Sequence, residues 1–192
     1  MALTVYTSGE VLTAASLNDN FDYAVTVPAA IPGAMVWVGG ATPSAAATVT
    51  LDNVFTSTYT HYLINFSFTG GATEELWFQF RYGATTQAAA YFSGFNTAQH
   101  TGATGALSVS NGAYMRICND ADRSSGQLFV SSVGVSGQGM IVGQGFGKNN
   151  AEASSGGGYV NSTQTYTGFI FTNSSGTNIF TGKVNVYGLA NS

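Results

Sequence analysis

Hydrophobic and polar residues alternate with a period of two along most of this chain. In "YTHYLINFSF" (59–68) the apolar positions Tyr62, Ile64, Phe66 and Phe68 fall on one side of an extended backbone. Such alternation, bounded by Gly, Asn and Ser, is typical of half-buried β-strands. The same pattern predicts further strands in "AMVWVG" (34–39), "ATVTL" (47–51), "EELWFQFRY" (74–82), "GAYMRIC" (112–118), "QLFVSSVGV" (127–135), "YTGFIF" (166–171) and "NIFTGKVNVYGL" (178–189).

The first 33 residues follow a different period. Apolar residues recur there at i, i+4, i+7 and i+8, the spacing of one helical face: Leu17, Phe21, Ala24 and Val25. Thr13 suits the N-cap, and Pro28 and Pro32 end the helix in a stiff, extended connector. A helix of about a dozen residues is marginal alone in water, so its apolar face must pack on its own domain, sister copies or a partner.

These two patterns divide the chain into a segment 1–33, with a short helix and a proline-bearing connector, and a domain 34–192. Strands without an intervening amphipathic helix indicate a mainly β fold, an antiparallel β-sandwich of jelly-roll type. Two stretches rich in Gly, Ser and Asn, 93–111 and 136–158, interrupt the strand pattern. We interpret both as long loops, which are usually functional or mobile.

Composition narrows the choice of function. Only 7% of the 192 residues are charged, whereas 44% are hydrophobic, and the net charge is −4. The five basic residues form no cluster in the sequence, which argues against nucleic-acid binding. No apolar run reaches the roughly 20 residues of a membrane helix, and we expect no signal peptide. A neutral polar surface associates easily, because little charge repulsion keeps copies apart.

Two glycine- and aspartate-rich motifs resemble ligand loops but fail at defining positions. "GQGFGKN" (143–149) resembles a phosphate-binding loop, which requires glycine at position 142 and Ser or Thr at position 149. The chain has Val142 and Asn149 there, so we interpret the stretch as a turn-rich loop. "NDADRSSG" (119–126) begins like a calcium loop, but Ser125 replaces the required glycine and Ser131 the distal glutamate. A solvated turn is therefore favoured there over a calcium site.

Residues for catalysis, metals or cofactors are scarce. Cys118 is the single cysteine, so His61 and His100 do not complete a typical zinc site, and His61 is expected at a surface or interface. Glu74 and Glu75 are neighbours, which in a strand places them on opposite sides. Nothing in the sequence nominates a carboxylate pair for glycoside hydrolysis, which makes a glycan-degrading depolymerase a weak alternative. We expect no enzyme activity, metal or cofactor.

Trp77, Gln79 and Arg81 form the sharpest group of candidate binding residues. They share the side of their strand opposite the apolar one. An exposed aromatic ring beside amide and guanidinium groups suits a glycan, since the ring stacks on a sugar and the polar groups bond its hydroxyls. Burial of the three side chains between subunits, or beneath a loop, is the alternative that we favour.

Two patches of the chain resemble bacteriophage proteins. "YTSGEVLTAASLNDNFDYAV" (6–25) resembles the N-termini of phage fibre and appendage proteins, which carry a Gly-Glu-Val-Leu-Thr-Ala-x-x-Leu-Asn segment and then Phe. "FTSTYTHYLINFSFTG", "LWFQFR", "YFSGFN" and the terminal "GKVNVYGLA" are similar to a β-sandwich module of phage structural proteins that closes on Tyr-Gly-Leu. This chain has almost no shaft between the two patches.

The resemblance implies a non-enzymatic virion component, synthesised in the bacterial cytoplasm and attached to other virion proteins through Leu12, Thr13, Leu17 and Phe21. It implies a short tail or head fibre, most often a homotrimer, with a capsid decoration protein as the alternative. A carbohydrate-binding adhesin that recognises the host surface is a further alternative, compatible with the first. Trp77 and the stretches 93–111 and 136–158 motivate it.

Overall fold

The computed structural model describes residues 34–69, 75–119, 123–147, 152–176 and 180–190. The predicted attachment residues Leu12, Thr13, Leu17 and Phe21 lie outside these ranges. Within them no helix is long and apolar enough to cross a membrane. The strands are Met35–Ala41 (β1), Val49–Leu51 (β2), His61–Thr69 (β3), Leu76–Tyr82 (β4), Thr85–Thr86 (β5), Tyr91–Ala98 (β6), Thr104–Gly112 (β7), Met115–Cys118 (β8), Arg123–Ser131 (β9), Ser136–Gly137 (β10), Met140–Gly147 (β11), Glu152–Val160 (β12), Gln164–Thr165 (β13), Gly168–Asn173 (β14) and Thr181–Leu189 (β15).

The strands form a sandwich of a large and a small antiparallel sheet, which confirms the predicted mainly β fold class. Among the described residues the large sheet has eight strands in the order β1-β15-β3-β9-β11-β12-β6-β7. The small sheet has the order β2-β14-β4-β5, and β8 also pairs with β4. A simple jelly roll has eight strands in two sheets, whereas here the large sheet alone has that number.

An aromatic core joins the two sheets. Phe78 and Phe80 of the small sheet are fully buried, as are Ile64 and Phe68 of the large one. Phe68 meets Phe171 edge to face, with ring centroids 5.5 Å apart. Aromatic rings bury the most surface per side chain and are further stabilised by such tilted contacts. The alternation seen in β3 and β4 therefore marks the positions that hold the sandwich together.

One buried tyrosine adds a polar contact to this core. The hydroxyl of Tyr91 accepts a hydrogen bond of 2.7 Å from the backbone N–H of Phe80. Burial raises the pKa of Tyr91 far above its ordinary value. The neutral hydroxyl thus links the large sheet to a strand of the small one. Its ionisation would place a negative charge in the core, away from water.

The two stretches interpreted as loops are strands, so that interpretation is wrong. Residues 93–111 mostly belong to β6 and β7, and 136–158 to β11 and β12, where "GQGFG" continues the ladder of the large sheet. In β11 the inward positions are mostly glycine because the space there is filled. A Cβ on Gly143 would lie 2.2 Å from the carbonyl oxygen of Gln127 and 2.7 Å from Leu128 Cδ2. Glycine therefore replaces the apolar residue that the alternation would otherwise show.

Candidate functional site

Trp77, a candidate either for sugar stacking or for burial between subunits or beneath a loop, is covered on one ring face. It lies on the outer side of β4, and its indole stacks on the Tyr114 ring with centroids 3.7 Å apart and planes within 10°. Its Nε1–H donates to Glu75 Oε2 at 2.8 Å. The ring is therefore part of a packed cluster on the outer face of the small sheet.

Gln79 and Arg81 lie on the same outer side and are also bonded within the protein. The Gln79 amide donates to the carbonyl oxygen of Ala113 at 2.9 Å. Arg81 Nε lies 2.7 Å from Asp52 Oδ1, and another Arg81 nitrogen donates to Thr86 Oγ1 at 2.7 Å. These three side chains share one face, as alternation predicts, but their polar groups already have protein partners.

The outer face of the large sheet is built differently. Its strand register places one apolar residue beside another across five strands, and most of these side chains reach the surface, whereas Leu63 is buried. Trp37 is 62% exposed, Val142 64% and Phe129 51%. The first row of this apolar band is Trp37, Tyr187, Leu63, Phe129 and Val142.

A second row widens the band toward the end of the strands. It contains Met35, Leu189, Met140, Tyr159 and Phe92, interrupted by His61 and Ser131. The rings of Phe92 and Tyr159 stack with centroids 5.3 Å apart. His61 lies in β3 and is exposed, as expected for a surface or interface residue. The apolar band is defined here as the apolar residues of these two rows.

The next row on the same face is polar and uncharged. Gln127 is paired with Gln144, Gln144 with Ser155, and Ser155 with Asn96 across four neighbouring strands. On the other side of Gln127 the row continues through Asn65, whose Oδ1 is buried without a hydrogen-bond partner among the described residues. Side-chain amides thus recur across the sheet at the strand spacing of about 4.8 Å.

These polar side chains line a groove of about 1010 Å³. Phe146 rises from its floor, 44% exposed, and its neighbours across the strands are the small residues Ser125 and Ala153. The amide groove is defined here by Asn96, Gln127, Gln144, Phe146 and Ser155. All five are exposed and lie on strands β6, β9, β11 and β12.

The amide groove has little electrostatic or metal-binding character. Its lining, taken over the described residues, contains no Asp, Glu, Lys, Arg or His. In the part of the chain that the structure covers, no three His, Cys, Asp or Glu residues come together as metal ligands would. Cys118 is buried in the core. Neutral hydrogen bonding and ring stacking are therefore the chemistry that this groove offers.

Sequence reasoning missed the amide groove because three of its four strands, β6, β11 and β12, were interpreted as loops. A signal was present: in "GQGFG" (143–147) the glycines recur at every second position, the period of a strand. The outward residues between them, Gln144 and Phe146, are the ones that line the groove. The segments 93–111 and 136–158 are neighbours in the large sheet, because β6 pairs with β12.

No family model matches this chain, and no curated protein is significantly similar to it.

Proposed function

We propose that this chain is a non-enzymatic structural protein of a bacteriophage virion, a short tail or head fibre that displays the sandwich on the particle. The observation that supports it most is the apolar band on the outer face of the large sheet. Monomeric proteins rarely expose contiguous apolar patches larger than a few hundred Å², and larger ones mark interaction sites. A fibre subunit needs such a side-to-side surface.

The occupant that we propose for the apolar band is another copy of the same chain, in a homotrimer. Among the described residues of its two rows, His61 is the only ionisable side chain apart from tyrosine, so copies meet there without charge repulsion. Trp37 and Tyr187 are of the residue types most enriched at interface hot spots. Trp77, by contrast, is engaged within its own subunit and is not proposed as an interface residue.

The second support is the resemblance of residues 6–25 to the attachment segments of phage appendages. Leu17 and Phe21 are the proposed apolar anchors to another virion protein, with Leu12 and Thr13 at the start of the helix. A capsid decoration protein, docking as a single copy through the same segment, is the alternative function. The mass of the purified chain separates the two, because a decoration protein of that kind has the mass of one chain.

The proposed virion role is tested in particles of a phage that carries this gene. Wild-type particles should contain the chain when purified on a density gradient and measured by mass spectrometry. Leu17→Asp with Phe21→Asp should remove it from the particles, because both anchors become charged. The matched control is Ser16→Asp with Asn20→Asp, which adds the same charges off the proposed apolar face and outside the matched motif residues.

Absence of the wild-type chain from purified particles would refute the virion role. Equal incorporation of the anchor variant and its control would refute the anchor while leaving the virion role intact. The soluble yield and circular dichroism of each variant show whether the sandwich has folded.

A further inference from the structure

We propose that the amide groove binds an uncharged oligosaccharide, lying across the strands of the large sheet. This inference does not depend on the virion role. It places the glycan site away from Trp77, because Trp77 and its neighbours have partners within the protein, whereas Asn96, Gln127 and Gln144 have none among the described residues.

The polar part of the argument concerns the amides. Each side-chain amide offers both a donor and an acceptor, which is what a sugar hydroxyl pair requires. The side chains of Asn96, Gln127 and Gln144 make no hydrogen bond to any residue that the structure describes. In contrast, Gln79 on the small sheet donates to a backbone carbonyl. Exposed amides in one row are thus free to bond a ligand.

The apolar part concerns Phe146. Its ring is flanked by Ser125 and Ala153, which are too short to cover it. On its far side a smaller hollow of about 370 Å³ begins, lined by Ser67 and Arg123 among others. The ring therefore stands as a ridge with open sides. An aromatic face of this kind packs on the apolar face of a sugar ring.

The uncharged lining of the described groove favours an uncharged ligand. Nucleic acids and other polyanions are disfavoured because binding them depends on cations, and the described lining of the groove holds none. A peptide that extends a sheet needs an open strand edge, whereas the groove lies on the sheet face over β9, β11, β12 and β6. The volume of about 1010 Å³ is at the upper end of the roughly 300–1,000 Å³ of small-ligand sites. Several linked sugar rings suit it better than one.

The row also sets the direction of the ligand. An extended oligosaccharide lying across the strands meets a polar side chain about every 4.8 Å, in the order Gln127, Gln144, Ser155, Asn96. One lying along the strands would cross the apolar band instead. Longer oligomers should therefore bind more tightly than disaccharides, up to the length of the row.

The test is a screen of full-length protein on an array of neutral and acidic oligosaccharides, including hexamers of glucose, mannose, galactose and N-acetylglucosamine. Calorimetric titration follows with the neutral hexamer that binds best. Two variants probe the groove: Phe146→Leu removes the ring but keeps an apolar side chain, and Gln144→Ala removes one amide. Gln164→Ala is the matched control, since Gln164 is an exposed strand residue outside the groove.

We expect a neutral hexamer to bind, and each groove variant to weaken its affinity at least tenfold while the control binds as wild type. Absence of binding to every neutral oligosaccharide would overturn the inference, as would binding to acidic ones alone. Equal affinity of Phe146→Leu, Gln144→Ala and wild type would show that the sugar binds elsewhere. Circular dichroism verifies that each variant is folded. None of these outcomes bears on incorporation into particles.

Discussion

The two tryptophans of this chain lie on opposite outer faces of the sandwich, in opposite surroundings. Trp77, on the small sheet, is stacked on Tyr114 and hydrogen-bonded to Glu75. Trp37, on the large sheet, is 62% exposed at the edge of the apolar band. Tryptophan is common at binding surfaces, so residue type alone does not distinguish the two roles. The partners that each side chain already has within its own subunit distinguish them.

The same contrast holds for the polar residues of the two faces. Around Trp77, Arg116 contacts Glu75 and also donates to Asn119, whose amide donates to buried Glu152 at 2.9 Å. This chain of contacts connects β8 to the large sheet. On the other face the amides of the groove make no such connections to the residues that the structure describes. A buried, paired network stabilises the fold, whereas an exposed row of amides can exchange water for a ligand.

The largest expected effect is on assembly. Val142→Lys introduces a charge in the middle of the apolar band, where burial between subunits would leave it unpaired. We expect wild type to have about three times the 19.8 kDa mass of one chain, and the variant to have the mass of one chain. Light scattering after size-exclusion chromatography, over a range of concentrations, measures both.

Thr50→Lys is the matched control for assembly. Thr50 is another exposed β-branched strand residue, but it lies on the small sheet. Its variant should keep the wild-type mass. A wild-type protein that runs as a single chain at all concentrations would contradict self-assembly through the apolar band and favour the decoration protein.

An intermediate effect is expected on stability. Trp77→Ala removes the stack on Tyr114 and leaves Glu75 without its indole donor, which should lower the free energy of unfolding by about 2–3 kcal/mol. Trp37→Ala should lower it by less than about 1 kcal/mol, because that ring is mostly in solvent. Urea unfolding followed by circular dichroism, at a concentration where both variants have the mass of one chain, measures the difference. If both variants lost the same free energy of unfolding, the proposed difference between the two outer faces would be contradicted.

The smallest of the expected effects concerns Tyr91, which is buried in the core between the two sheets. Burial raises the pKa of Tyr91 above its ordinary 10.0, so the unfolded chain releases this proton first. Stability is therefore unaffected below pH 10 and falls as the pH rises above it. Tyr91→Phe should cost about 1 kcal/mol at pH 7, through the bond lost to Phe80, and should flatten the decline above pH 10.

Unfolding in urea at intervals from pH 7 to pH 11 measures this decline. Burial also raises the pKa of Tyr166, so part of the decline in stability above pH 10 should remain in the Tyr91→Phe variant. A Tyr91→Phe protein with the wild-type profile above pH 10 would show that Tyr91 is not the group responsible.

The sequence allowed the prediction of strands whose two sides differ in polarity, and β3 and β4 are correct for that reason. The alternation of Phe78 and Phe80 with Trp77 and Gln79 is a local pattern. The strands β6, β7, β11 and β12 were missed because they are rich in glycine and serine, which otherwise signal turns. In β11 and β12 these residues also fill inward positions.

Candidate binding residues were harder to predict than strands. Trp77 was correctly placed on an outer side, but Tyr114, which covers it, comes from a segment 37 positions away. The amide row combines Asn96, Gln127, Gln144 and Ser155 from four strands, and only the strand order brings them together. Register between distant segments depends on the whole fold, and no local pattern specifies it.

The position of β15 has a consequence for the order of folding during synthesis. This strand, Thr181–Leu189, is inserted between β1 and β3 in the large sheet. When the ribosome has completed β14, the edge of β3 still lacks its partner, and the edge of β1 does too. Unpaired edges of this kind can pair with other chains. Nascent copies therefore pass through an interval in which these edges can pair with the wrong chain, and it ends once Thr181–Leu189 has been made.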